Sequence, residues 1–195
     1  MLPLLKKLGL TIICGASLAG VLLAQQPFEL HSTTFANDGT PPLSMILNNV
    51  VNGVNTCTAS GAAGLDESPE LSWTGAPLGT RSYVVVLYDT TAAFTHWGIY
   101  NIQPDLRELP QNAGVANSTF GSEIENDFGL GEQYDGPCPP AGVAPDIHEY
   151  VFTVYALGNT LDLPSSANFP ANAETLYHAL IIAGAQGQIL GHAPR

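Results

Sequence analysis

Lysine is absent from residue 8 onward, and only Arg81, Arg107 and Arg195 carry fixed positive charge there. All 17 acidic residues lie beyond residue 24, so that part of the chain sets 3 basic side chains against 17 acidic ones, a formal charge of −14. A surface so poor in cations repels phosphate backbones and anionic lipid, which argues against nucleic acid and anionic membranes as partners. Hydrolase signatures are missing as well. There is no Gly-x-Ser-x-Gly elbow, no His-Glu-x-x-His pattern, and no motif that places a serine beside a histidine. No internal repeat or long polar linker interrupts residues 27–195, so a single domain is expected over residues 25–195.

Long charge-free apolar sequence is confined to the start. Lys6 and Lys7 precede an uncharged run from Leu8 to Ala24 that ends in small residues. Residues 1–24 therefore have the layout of a signal peptide cut after Ala24, which predicts a secreted or periplasmic protein. The alternative is an uncleaved anchor helix, for which the run is slightly short. Cys14 does not mark a lipidation site, because Ile12 and Ile13 stand where small residues are needed.

Cysteine is scarce too. After the N-terminal segment only Cys57 and Cys138 remain, and in an exported chain such a pair points to one disulfide, with two buried free thiols as the alternative.

Three runs carry strand signals: Ser82 to Asp89, His96 to Ile102, and Glu149 to Leu157, the last with Val151, Thr153 and Tyr155 alternating against Phe152, Val154 and Ala156. Glu70 to Gly75 reads as a shorter strand ending in a turn, and the final residues from Gly187 to Arg195 suggest one last short strand. Helical periodicity is confined to residues 172–185, where Asn172 is a candidate cap and Leu176, Ala179, Leu180 and Ala183 form an apolar stripe. Strands first and a helix late predict a mainly β fold, an antiparallel core with a peripheral helix near the C-terminus.

Between Tyr134 and Gly142 the chain packs three prolines, a cysteine and a glycine, a composition that makes a stiff extended loop. Polar residues gather at strand ends around it. Asp89 closes one strand, His96 opens the next, and His148 follows the loop with Tyr150 two positions on and on the same face. Each alone reads as a turn cap, a surface group or a hydrogen-bonded core group; together, on neighbouring strands, they would line a single cleft. His31, His178 and His192 belong to no motif and read as structural or surface residues.

Three segments carry a resemblance. Ser68 to Pro77 (SPELSWTGAP), the pair YVVVLYD and HWGIYNI, and the series NDFG, YDGPCPPAG and HEYVFTVYAL resemble the phosphatidylethanolamine-binding protein family in its bacterial, Raf-kinase-inhibitor-like branch. The resemblance implies a central antiparallel sheet with a smaller second sheet. It also implies a pocket formed by Asp89, His96, His148 and Tyr150, with Gly136, Pro137 and Cys138 as its wall. Glycine in that wall is expected to let backbone N–H groups approach an oxyanion closely. The implied ligand is a small anion such as phosphate, or a phospholipid headgroup, with no cofactor and no resident metal. The implied role is binding without catalysis, with modulation of another protein as a further possibility; protease inhibition through surface loops is the alternative, and hydrolysis by the Asp, His and Tyr cluster a weaker one. Two departures stand out. Thr90 to Ala93 (TTAA) replaces the family's proline, aspartate, alanine, proline, and Glu149 stands where arginine is common.

Overall fold

The three β-branched and aromatic runs become neighbouring strands at the centre of the molecule. A computed structural model describes residues 26–140, 142–145, 147–166 and 169–194; the segment read as a signal peptide, with Cys14, lies outside them. In chain order the elements are β1 (Glu29–His31), β2 (Val50–Val51), β3 (Val54–Asn55), β4 (Leu71–Thr74), β5 (Ser82–Asp89), β6 (Phe94–Ile102), β7 (Glu108–Leu109), β8 (Ser122–Glu123), β9 (Glu149–Leu157), α1 (Ala173–Ala183) and β10 (Gln186–Pro194). The final strand, expected over Gly187 to Arg195, is β10 at Gln186–Pro194 and runs antiparallel along nearly all of β9. The stretch before β2 contains a 3-10 turn at Leu43–Met45.

Five strands form the main sheet in the order β10-β9-β5-β6-β8, and β1-β4-β7 form a smaller one. All pairings are antiparallel. Alternation along β5 serves both faces. Tyr83, Val85 and Leu87 join Leu30, Leu71 and Trp73 of the smaller sheet in one core, whereas Val84 and Val86 pack with Leu176 and Leu180 of α1 on the other side. Each fully buried apolar side chain of this kind contributes about 1.5–3 kcal/mol. The helix begins as its sequence suggests: Asn172 accepts the Thr175 N–H while the Thr175 hydroxyl accepts the Asn172 N–H. It ends where Gly184 takes a left-handed conformation (φ 59°).

The loop after β8 is fastened to the segment between β1 and β4. Cys57 and Cys138 form a disulfide across a sequence separation of 81, packed with Ile46, Leu47 and Phe128. The Tyr134 hydroxyl donates to the Met45 carbonyl at 2.9 Å.

Replacing both Cys57 and Cys138 by serine is expected to lower folding stability by about 4 kcal/mol, the chain-entropy value for a loop of this length. Chemical denaturation of the oxidised protein and the double variant measures it, and a difference under about 1 kcal/mol would show that the bridge constrains little.

Candidate functional site

β5 lies between β6 and β9, so its last residue is flanked on both sides. Asp89 pairs in register with Phe94 on one neighbour and Tyr150 on the other. Its carboxylate does two jobs. Oδ1 accepts the backbone N–H groups of Thr91 and Ala92, both at 2.9 Å, which closes the short turn into β6. Oδ2 lies 2.6 Å from Nδ1 of His148. An ionised carboxylate can only accept, so the proton of that bond belongs to Nδ1. Asp89 and His148 are 2% and 5% exposed, so the pair is held away from solvent.

His96 reaches the cluster through a break in strand regularity. Leu87 pairs with Trp97 and the next residue, Tyr88, with Thr95, which leaves His96 as the additional residue of a β-bulge. Bulges re-aim side chains, and this one places an imidazole whose neighbour Trp97 faces the main core. The ring centroid of His96 lies 5.2 Å from Tyr150, 5.1 Å from Phe94 and 5.2 Å from Phe128. His148 stacks on Tyr150 with ring centroids 6.3 Å apart. Nδ1 of His96 contacts the carbonyls of Asp135 at 2.9 Å and Gly136 at 3.0 Å. Both are acceptors, so Nδ1 must donate there. Burial lowers the pKa of His96, partly opposed by these carbonyls and by the charges of Asp89 and Asp135, which favours the neutral ring. Both imidazoles thus have Nδ1 committed, and among the described residues no protein hydrogen bond reaches Nε2 of either.

The loop is the third component. A side chain at Gly136 would place Cβ 1.9 Å from the Met45 carbonyl oxygen, so only glycine lets these two backbones meet. The Gly136 N–H donates to Oδ1 of Asp66 at 2.7 Å. Backbone N–H groups of this wall were expected to approach an oxyanion; that of Gly136 is engaged by a carboxylate, and Pro137 has no N–H to offer. Cys138 contributes no thiol, because its sulfur is in the bridge to Cys57. Asp135 is buried beneath, with Oδ2 accepting from Asn126 at 2.6 Å and Oδ1 from Gln133 at 3.1 Å.

The structure therefore brings Asp89, His96, His148, Tyr150 and Gly136 into one cluster, but nearly closed: His96 is 2% exposed and Tyr150 0%. Four cavities among the described residues lie elsewhere, away from both imidazoles. Sequence reasoning missed Phe94, Phe128, Asp66 and Asp135. Phe94 sits two residues before His96, and Phe128 and Asp135 lie within motifs already singled out; Asp66 left no signal.

The two departures at the mouth of the cluster meet each other. The Thr90 hydroxyl donates to the Glu149 carboxylate, and the Glu149 N–H donates to the Thr91 hydroxyl at 2.9 Å. Two threonines and a glutamate thus latch the β5–β6 turn to the start of β9.

A sequence model described as phosphatidylethanolamine-binding protein matches residues 44–194. A UPF0098 protein of Methanothermobacter thermautotrophicus is 38% identical over 132 residues, covering 65% of this chain and 78% of the relative. UPF0098 protein YbhB of Escherichia coli is 41% identical over 97 residues, 46% of this chain and 59% of its own length. LppC of Mycobacterium tuberculosis, named as a candidate lipoprotein, is 28% identical over 86% of this chain and 73% of its own. Among solved structures, Escherichia coli YbcL, described as a new member of the mammalian PEBP family, superposes with a TM-score of 0.65 at 26% identity, over 84% of this chain and 98% of that one.

Asp66 supplies a test of how the loop is held. Burial, only partly offset by the Gly136 amide and reinforced by Asp135, raises its pKa from 3.8 to about 6. The folded state therefore holds this proton more tightly than the unfolded chain. Its contribution to stability is fully present below about pH 4 and lost as pH rises through about 6. Asp66→Asn keeps an acceptor for Gly136 and suits the positive φ of 57°. It is expected to be more stable than wild type by about 1 kcal/mol at pH 8, after allowance for solvent screening, with that advantage shrinking steadily toward pH 4. Denaturation at both pH values checks this, and parallel pH profiles would rule Asp66 out.

Proposed function

The chain belongs to the phosphatidylethanolamine-binding protein family, and from that premise we propose that it is an exported binding protein that takes a small oxyanion, phosphate or a phosphorylated headgroup, at the Asp89, His96, His148 and Tyr150 cluster, without catalysis. The observation that carries this reading is the 2.6 Å contact between Asp89 and His148 beside a second imidazole whose Nδ1 is also committed. With Nδ1 held, the ligand must be met by Nε2. A protonated Nε2 donates to a phosphate oxygen, and charge-assisted bonds of this kind are the stronger ones. Asp89 compensates the positive charge that an anion recruits onto His148, so the buried assembly need not carry an unbalanced charge. His96, kept neutral by burial, offers Nε2 as an acceptor to the P–OH of a partly protonated phosphate. Aromatic rings around both imidazoles exclude water, which strengthens each polar contact.

The Asp89 and His148 pair resembles the base half of a hydrolytic triad, yet the cysteine in the neighbouring loop is oxidised, and among the described residues no hydroxyl is hydrogen-bonded to either imidazole. The oxidised Cys138 offers that pair no thiol nucleophile, which favours the binding reading. The disulfide supports an oxidising compartment, as does the lipoprotein-type name of LppC.

Anion binding that draws a proton onto the site strengthens as pH falls. Isothermal titration with inorganic phosphate is expected to give at least about tenfold tighter binding at pH 5.5 than at pH 8, and His148→Ala is expected to lose it. Equal affinity at the two pH values would sink the reading. Glycerophosphoethanolamine, titrated in parallel, separates a headgroup from free phosphate. Export is checked by intact mass of the protein recovered outside the cytoplasm, which should begin at Gln25; retention of Met1 to Ala24 would make the segment an anchor.

A further inference from the structure

The face of the main sheet that carries α1 also holds a groove that the helix leaves half covered. Strand alternation places Val86, Tyr88 and Thr90 of β5 on this face beside Val151, Thr153 and Tyr155 of β9, with Val86 opposite Thr153 and Tyr88 opposite Val151. Asp89 and Tyr150, one position along each strand, belong to the other face and to the histidine cluster. The helix borders one side. Leu176 and Leu180 fill the core, while Tyr177 and Ile181, also four residues apart, line the groove. Thr95 hydrogen-bonds the Tyr177 hydroxyl and Thr153 that of Tyr155, and Tyr88 meets Tyr177 edge-on at 6.1 Å. The aromatic walls are therefore fixed in place.

Over this floor lies a cavity of about 400 Å³, and one of about 250 Å³ continues it past Tyr155 and Tyr177 toward Gly184. Together they have the size and the apolar lining of an organic ligand site. From Val151 to Tyr155 the floor runs four strand steps of about 3.3 Å, room for an extended chain of roughly eight to ten carbons. Charge decides what such a chain can carry. The protein has 17 acidic residues, yet no charged side chain, Arg81 and Arg107 included, is among the described walls of either cavity. The next β9 residue on this face is Glu149, two before Val151. Its carboxylate accepts the hydroxyl of Thr90, which itself lines the cavity. The apolar floor thus ends at a carboxylate. At the far end the last turn of α1 has no basic residue, so its C-terminal carbonyls add negative character there too.

We propose that this groove binds a single-chain cationic amphiphile, with its alkyl chain along the valine and tyrosine floor and its ammonium against the Glu149 carboxylate at the Thr90 end. The site lies on the opposite face of the sheet from the oxyanion cluster and does not depend on it. A fatty acid would set its own carboxylate beside Glu149, with no arginine or lysine in the walls to answer it. A neutral alcohol would use the floor and gain no ion pair. A small, strongly hydrated cation would meet Glu149 and gain nothing from the floor. The field of so acidic a chain favours a cationic ligand in the same sense.

Calorimetric titration of the purified protein with octylammonium, kept well below its micelle concentration, tests this against octan-1-ol, octanoate and butylammonium. Saturable binding of one octylammonium per chain is expected, with octan-1-ol several-fold weaker and octanoate not bound. Butylammonium should be at least about tenfold weaker, because it leaves most of the floor wet. Glu149→Gln keeps an acceptor for Thr90 and removes the charge. It should bring octylammonium down to the affinity of octan-1-ol and leave octan-1-ol itself unchanged. Thr153→Trp, in the middle of the floor, should abolish binding of both octyl compounds, and it carries the test if the first variant does not fold. Phosphate binding at the histidine cluster should be unchanged in Thr153→Trp, which keeps the two sites' outcomes apart. Octanoate or octan-1-ol binding as tightly as octylammonium, or wild-type binding in Thr153→Trp, would overturn the proposal. So would a dimer of the free chain, seen by sedimentation and lost in Thr153→Trp, since a second copy would then cover the groove.

Discussion

Two backbones touch at Gly136, and the geometry of the histidine cluster descends from that contact. With no Cβ to hold them apart, the loop settles on the Met45 carbonyl. In that position its own carbonyls at Asp135 and Gly136 face Nδ1 of His96. Asp66 closes the arrangement from the other side by accepting the Gly136 N–H, and the disulfide and the Tyr134 hydroxyl fasten the flanks. A larger residue at 136 would move the loop away from Met45 and with it the acceptors that fix the His96 tautomer. Loop stiffness, which the prolines announce, is therefore only half of the matter; the other half is what the loop rests on.

The same dependence explains why the mouth of the cluster tolerates unusual residues. Loss of the family's prolines between Asp89 and β6 leaves a turn with more conformational freedom. Asp89 Oδ1 removes part of that freedom through the Thr91 and Ala92 amides, and the threonine contacts to Glu149 remove more. A glutamate in place of arginine is thus intelligible beside threonines, which can donate to it and accept from its backbone. The two departures thus share one set of local contacts.

Much of the fold was legible in the chain. The runs that became β5, β6 and β9 are rich in β-branched and aromatic residues, and Asn172 marked the helix start because its side chain competes for backbone donors only at a helix end. Asp89 and His148 were visible as strand-end polar residues flanking a rigid loop. What escaped notice depends on register and tertiary contact. Strict alternation along β6 gives no sign of the bulge opposite Leu87 and Tyr88, and that bulge is where His96 meets Tyr150. Asp66 reaches Gly136 across 70 residues of sequence, with nothing local to signal it. The closed state of the cluster was also illegible, because it comes from Phe94 and Phe128 packing on His96, not from any one segment.

Buried carboxyls show how differently one fold treats the same group. Asp89 has two amides and an imidazole, and Asp135 has two side-chain amides, from Asn126 and Gln133. Asp66 has the Gly136 amide and is pushed up to about 6, while Glu123 has one indole and is pushed up to about 7. With a single strong donor, little of the lost hydration of Asp66 or Glu123 is replaced, and each keeps its proton to higher pH. Asp89 has both oxygens engaged, one by the turn amides and one by His148. Glu123 is only half satisfied: one oxygen accepts the Trp97 indole N–H, and the other is buried without a hydrogen-bond partner. An unsatisfied buried acceptor costs about 1–3 kcal/mol, and Glu123, pushed up to about 7, lowers that cost below this pH by holding its own proton and remaining uncharged.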